Sequence, residues 1–154
     1  MRMTAFSDVS LRALMFLATL PEGELATSRV IAEAVATPYS HVSKAVMRLR
    51  ELGLVESLRG RTGGVRISPA GRTATVGWLL RQLDTRTDVA DCETLHGDCP
   101  LSGGCGLRRA LRRAREAFYA ELDGIVIAGL PHIGFATPSL FAWVHSPERR
   151  PDQG

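Results

Sequence analysis

Three cysteines, Cys92, Cys99 and Cys105, fall within fourteen residues of a 154-residue chain, and there are no others. An odd, clustered set does not suit a secreted disulfide framework, which uses an even number spread along the chain. In a reducing compartment it points to a metal centre. Three thiolates in a segment broken by Gly, Asp and Pro can wrap one polynuclear iron–sulfur cluster, whose usual complement is four protein ligands. The fourth position then falls to another side chain or a small ligand. Zinc is the alternative, because Cys3His is a standard structural site, and His96 lies in the same segment to complete it. The gaps of six and five residues are wider than the paired C-x2-4-C spacing of structural zinc and suit a bulkier cluster. Three unligated thiols are the bland reading, disfavoured because free cysteines are usually scattered and buried.

A second constellation is basic. Lys and Arg number 19 against 16 Asp and Glu, a net charge of +3, and all but Lys44 of the basic residues are Arg. Arginine is the side chain best suited to bidentate phosphate and base-edge contacts. The excess is N-terminal: residues 1–72 carry ten basic and six acidic groups, whereas residues 73–106, around the cysteines, carry two and five.

The elements that must position these groups follow from periodicity and caps. Apolar residues at helical spacing predict a first helix from about Ser7 to Leu20, capped by Thr4 or Ser7. A short helix spans Ser28 to Val35. After Thr37-Pro38 a third runs from Pro38 to about Leu52 and ends at Gly53. Its inner face holds Val42, Ala45, Val46 and Leu49, which leaves Tyr39, Ser40, His41, Lys44 and Arg48 outward. Two β-type runs, Leu54 to Leu58 and Val65 to Ile67, flank a Gly-rich tip that contains Arg59 and Arg61 and read as a hairpin. One helix is expected from Pro69 to Leu83. Another, from Leu107 to Leu130, has an apolar stripe opposite Arg108, Arg109, Arg112, Arg113 and Arg115.

Helix, break, helix and basic hairpin is the order of a winged helix-turn-helix, so the fold class is mainly α with a small β-hairpin wing and a long dimerisation helix. Such a fold presents its recognition helix to base edges in the major groove. That role falls here to Tyr39, Ser40, His41, Lys44 and Arg48. The tip, with Arg59 and Arg61, can approach the phosphate backbone or the minor groove. The apolar stripe of the long helix needs a partner helix, and a homodimer would also supply a second DNA-reading head.

On these features the chain resembles the dimeric winged-helix iron–sulfur transcriptional repressors, the family of IscR and NsrR, and most resembles its nitric-oxide sensors of actinobacterial type. The resemblance covers about residues 1–130. It rests on Met-Arg-Met-Thr-Ala-Phe-Ser-Asp at the start, on Pro38-Tyr39 with His41 and Lys44, on the Arg59 to Gly64 wing, and on the three-Cys segment before a long helix. Members of the IscR kind carry a histidine ligand three residues after the last cysteine, where this chain has Arg108. Members of the nitric-oxide-sensing kind use an N-terminal acid, and Asp8 stands at the matching place. Without the resemblance, Asp8 reads as an acid favoured by the helix macrodipole.

The resemblance therefore implies a [4Fe-4S] cluster held by Cys92, Cys99, Cys105 and Asp8 of the other subunit, with His96 as the alternative fourth ligand. A [2Fe-2S] cluster or zinc are the alternative centres. Expected partners are double-stranded operator DNA, a second copy of the chain, and nitric oxide as the signal. The expected divisions are a DNA-binding domain at 1–84, a cluster loop at 85–106, a dimerisation helix at 107–130 and a flexible tail at 131–154. No Ser/His/Asp set, P-loop or dinucleotide fingerprint points to an enzyme. No apolar run reaches the ~20 residues of a membrane helix, and Asp8 and Arg12 interrupt the signal-like start. A cytoplasmic protein with no membrane partner is expected.

Overall fold

The computed structural model describes residues 3–84 and 104–130. Cys92, His96, Cys99 and the tail at 131–154 lie outside the described residues. The elements run α1 (Ala5–Thr19), α2 (Ser28–Ala34), α3 (Tyr39–Glu51), β1 (Val55–Leu58), β2 (Gly64–Ile67), α4 (Pro69–Thr73), α5 (Val76–Leu83) and α6 (Gly106–Leu122), then a 3-10 turn at Ile127–Gly129.

Helix α1 starts where Thr4 accepts a hydrogen bond from the Ser7 amide at 3.0 Å, which satisfies one of the orphan donors of the first turn. Its apolar stripe is the centre of the core. Ala13, Leu14, Phe16 and Leu17 are buried together with Ile31, Val42, Leu49, Leu79 and Ile127 from four other segments.

Helices α2 and α3 form the helix-turn-helix. The turn closes with hydrogen bonds from Ala36 N–H to Glu33 C=O and from Thr37 N–H to Ala32 C=O, a Schellman arrangement. Ala36 occupies its left-handed position at φ 49°, where a Cβ costs about 1–2 kcal/mol relative to glycine. The end of α3 repeats the motif with a glycine: Gly53 takes φ 73°, and Leu54 N–H reaches Leu49 C=O at 2.9 Å.

The wing is an antiparallel pair, β1 and β2, in the register Val55↔Ile67 to Leu58↔Gly64. Ala26 adds a third short rung through two backbone bonds to Val65, of 2.9 and 2.8 Å. Those bonds anchor the wing to the segment that leads into α2.

Two helix lengths differ from the sequence expectation, for one shared reason. The helix expected over Pro69–Leu83 is broken at Ala74-Thr75, and the one expected to reach Leu130 stops at Leu122. The chain after α6 turns back to pair with the break. Val76 N–H donates to Ile125 C=O at 2.9 Å and Ile127 N–H to Ala74 C=O at 3.0 Å. This exchange requires extended backbone on both sides, and it drives Ile127 into full burial. Thr75 then restarts the helix by accepting from the Trp78 amide.

Candidate nucleic-acid interface and metal ligands

Helix α3 is built from two faces. Val42, Ala45, Val46 and Leu49 are buried against the core, and this forces Tyr39, Ser40, His41 and Lys44 outward, where all four are exposed. They occupy the first half of the helix, the half that meets base edges in this fold. Arg59 and Arg61 are exposed on the wing tip. The tip turns tightly through Gly60 at φ 116°, with Gly63 N–H on Gly60 C=O at 3.0 Å. A Cβ on Gly63 would lie 2.4 Å from Leu58 O, so the turn closes only around glycine.

Arg48 is placed differently from its neighbours. Its Nη1 donates to Glu51 Oε2 at 3.0 Å and its Nη2 to the main-chain oxygen of Gln82 at 3.3 Å. The guanidinium is therefore directed to the end of α5. Sequence reasoning missed Arg29, exposed on α2, whose guanidinium stands 5.9 Å from the Tyr39 ring centroid in a cation–π arrangement. The available signal was a cation on the first helix of the motif, which crosses the DNA backbone in this fold.

Asp8 is half-buried in the first turn of α1. It forms an ion pair with Arg12 one turn on, at 2.5 Å. Arg12 in turn donates through Nη1 to Val35 C=O at 2.7 Å, at the end of α2. The same carbonyl accepts from Thr37 Oγ1 at 3.1 Å. Sequence reasoning missed Arg12 as well, because a bond spanning 23 residues leaves no local pattern.

Cys105 is half-buried, outside any disulfide, and is the N-cap residue of α6, where no side chain caps the helix. Uncapped N–H groups make that helix end hospitable to negative charge. A soft thiolate at Cys105 and a hard carboxylate at Asp8 are both donors that iron accepts, so the two described residues among the expected ligands suit an iron–sulfur centre by their chemistry. Among the described residues no three His, Cys, Asp or Glu side chains converge. Cys92, Cys99 and His96 fall in the segment between Asp84 and Gly104.

Both ends of that segment are tied to α6. Asp84, just after α5, accepts a hydrogen bond from the Tyr119 hydroxyl. Burial, reinforced by that bond, pushes the Tyr119 phenol up to about 12. Arg81 lies 5.1 Å from the Tyr119 ring centroid and pairs with Asp123 at 2.6 Å. The hydrogen bond to Asp123 raises the Arg81 pKa further above its ordinary value. Of α6 itself only Tyr119 is buried; Leu107, Leu111 and Phe118 are exposed, Leu107 to 67%.

A helix-turn-helix with a basic wing and an outward recognition face defines a DNA-binding regulator of the winged-helix class. Comparison with known proteins narrows the class. The profile of the Rrf2 family, described as "Iron-dependent Transcriptional regulator", matches residues 3–132, and the chain belongs to that family. It is 52% identical over 134 residues to the HTH-type transcriptional repressor NsrR of Streptomyces coelicolor, an alignment that covers 84% of this chain and 88% of that protein. The HTH-type transcriptional regulator NsrR of Bacillus subtilis is 34% identical over 131 residues, covering 84% and 90%. Among solved structures, CymR, the global cysteine regulator of B. subtilis, superposes with a TM-score of 0.62 at 23% identity, covering 84% of this chain and 95% of its own. IscR of T. potens gives 0.62 at 21%, covering 83% and 84%. These two share the fold. The chain is thus a transcriptional regulator of the NsrR type within the Rrf2 family. No helix among the described residues is long and apolar enough to cross a membrane.

Proposed function

We propose that the chain is a cytoplasmic, homodimeric repressor that holds a [4Fe-4S] cluster and releases operator DNA in response to nitric oxide. The observation that carries the reading is the union, in one small chain, of an exposed basic recognition face with a thiol at the uncapped start of α6. Cys92, Cys99 and Cys105 would hold the cluster, with Asp8 of the partner subunit as fourth ligand. The bound cluster supplies iron, with which nitric oxide reacts readily. Zinc would leave the same fold without the sensor.

The residues of the chain divide the remaining work. Tyr39, Ser40, His41 and Lys44 face base edges, and Arg59 and Arg61 face the backbone or minor groove. Arg29 lies beside Tyr39, where a phosphate contact would flank the recognition helix. The exposed Leu107, Leu111 and Phe118 of α6 are an apolar stripe that a second copy would cover. Pairing two heads sets half-site centres ~10–10.5 bp apart, or a multiple of that.

Anaerobic purification with absorption spectroscopy and native mass spectrometry tests the centre. The expected result is a brown dimer with one four-iron cluster per chain. Titration with nitric oxide should then bleach the absorption and free an inverted-repeat duplex. A colourless protein containing zinc, or a duplex still bound after full reaction with nitric oxide, refutes the sensing role.

A further inference from the structure

The outward face of α3 ends on a contact that base reading does not explain. Arg48 is on the recognition helix, yet its guanidinium, 40% exposed, is turned along the protein surface to Glu51 Oε2 at 3.0 Å and to the Gln82 carbonyl at 3.3 Å. Gln82 is in the last turn of α5. Carbonyls there have no partner inside the helix, and a cation at a helix C-terminus is favoured both by the bond and by the macrodipole. Arg48 is therefore a C-terminal cap for a helix other than its own.

The helix it caps is the one from which the cysteine segment departs. Two residues beyond Gln82, Asp84 is held by the Tyr119 hydroxyl, and one residue before it Arg81 pairs with Asp123. The last turn of α5 is thus gripped from two sides, by the recognition helix through Arg48 and by α6 through Arg81 and Tyr119. Asp84, at that junction, is the last described residue before the cysteine segment. Glu51 holds the guanidinium in place from one turn further along α3, so the fork presents one nitrogen to each partner, a geometry available to Arg and not to Lys.

We propose that Arg48 is a positioning residue and not a base reader: it fixes the angle of the recognition helix to the end of α5, so that a change in the segment beginning at residue 85 reaches α3. The link to cluster state rests on the function proposed above. The assignment as a cap does not.

The two roles leave different marks on DNA. A duplex selected by the wild-type protein from a randomised inverted-repeat pool, together with every single-base variant of it, gives a preference profile for the full-length dimer. Loss of a base-reading arginine relaxes the profile at one position, where discrimination falls by roughly tenfold or more. Loss of a positioning arginine lowers affinity for every duplex by a common factor and leaves the profile intact. Arg48→Ala should weaken all duplexes by a common factor of roughly two to five, the effect of losing solvent-exposed charge-assisted contacts, with no single position relaxed. Arg48→Lys, which can still cap the carbonyl, should recover part of that loss. Melting of each variant without DNA separates a general loss of stability from a loss of positioning. Glu51→Gln, which weakens the grip on the guanidinium without touching a DNA-facing group, should show a smaller uniform loss.

Relaxation confined to one operator position, or unchanged affinity for every duplex, overturns the assignment. The same profiles measured with and without iron read the coupling, and the ratio of the two affinities should shrink in Arg48→Ala. If wild-type protein binds alike in both states, the sensing reading fails, and the profile still decides the role of Arg48.

Discussion

Arg12 donates through Nη1 to the main-chain carbonyl of Val35 at 2.7 Å, which ties the second turn of α1 to the turn of the helix-turn-helix. Val35 immediately precedes Ala36, the one non-glycine residue at positive φ among the described residues. A strained residue persists only where its surroundings over-determine it, and the doubly bonded Val35 carbonyl is one such restraint. Asp8 orients the same guanidinium from its other side. Replacing Arg12 with Met keeps the length of the side chain and removes the bond. Stability should fall by about 1 kcal/mol, the usual worth of a hydrogen bond, and affinity for operator DNA should fall with it. Urea unfolding with an unchanged slope, set beside duplex binding, checks both. An unaltered midpoint and unaltered affinity would mean that the bond restrains nothing.

Gly77 sets how closely α5 approaches α6. A Cβ there would lie 2.3 Å from Asp123 Oδ1 and 2.4 Å from the Tyr119 carbonyl oxygen, and the second of these is backbone that cannot step aside. Gly77→Ala should therefore destabilise the chain by ~1–3 kcal/mol, the range for overpacking, although alanine is the better helix former. Gly104→Ala is the control, because no atom of the described residues lies within 4 Å of its Cβ. A Gly77→Ala protein as stable as the control would show that the two helices can separate freely.

How much of this could be read in the sequence depends on the range of the interaction. The elements of the helix-turn-helix and the wing were legible because their signals are local: Thr27 capping α2, Gly53 ending α3, and the glycines at the wing tip. The outward face of α3 followed from the spacing of Val42, Ala45, Val46 and Leu49. The ends of α4 and α6 were not legible, since residues 74–76 and 125–127 determine each other across the fold. For the same reason Arg48 read as one more basic group on the recognition face. Its partner at Gln82 is 34 residues away.

Tyr119 makes stability depend on pH at the alkaline end. Burial, with the hydrogen bond to Asp84 added, raises its phenol from 10.0 to about 12. The folded protein then keeps a proton that the unfolded chain gives up. That contribution is fully present below about pH 10 and is lost as the pH rises toward 12. Tyr119→Phe should lower stability at neutral pH by about 1 kcal/mol and should decline less steeply above pH 10. Denaturant unfolding of both proteins at pH 8 and pH 10.5 makes the comparison. Parallel declines would remove Tyr119 as the cause.

In the repressor proposed above, Asp8 is the residue on which the coupling of cluster to DNA would turn. Its carboxylate is a harder and more exchangeable donor to iron than a thiolate, and it lies at the start of α1, whereas Cys105 lies at the start of α6. A ligand from α1 would join the cluster to the DNA-binding head, because Arg12 links Asp8 to Val35. His96, in the cysteine segment, would leave the head uncoupled. Asp8→Ala should retain a cluster through the three thiolates, with shifted absorption and a smaller difference in operator affinity between the iron-loaded and iron-free forms. His96→Ala should keep the wild-type spectrum. A mixed dimer tests whether the ligand crosses between subunits. One protomer carries Asp8→Ala and the other Cys105→Ser, so only the first has all three cysteines. If the carboxylate comes from the partner, that site is complete and the dimer shows one cluster with the wild-type spectrum. If it comes from the same chain, the one cluster shows the shifted spectrum of Asp8→Ala, and the bridge across the interface is refuted.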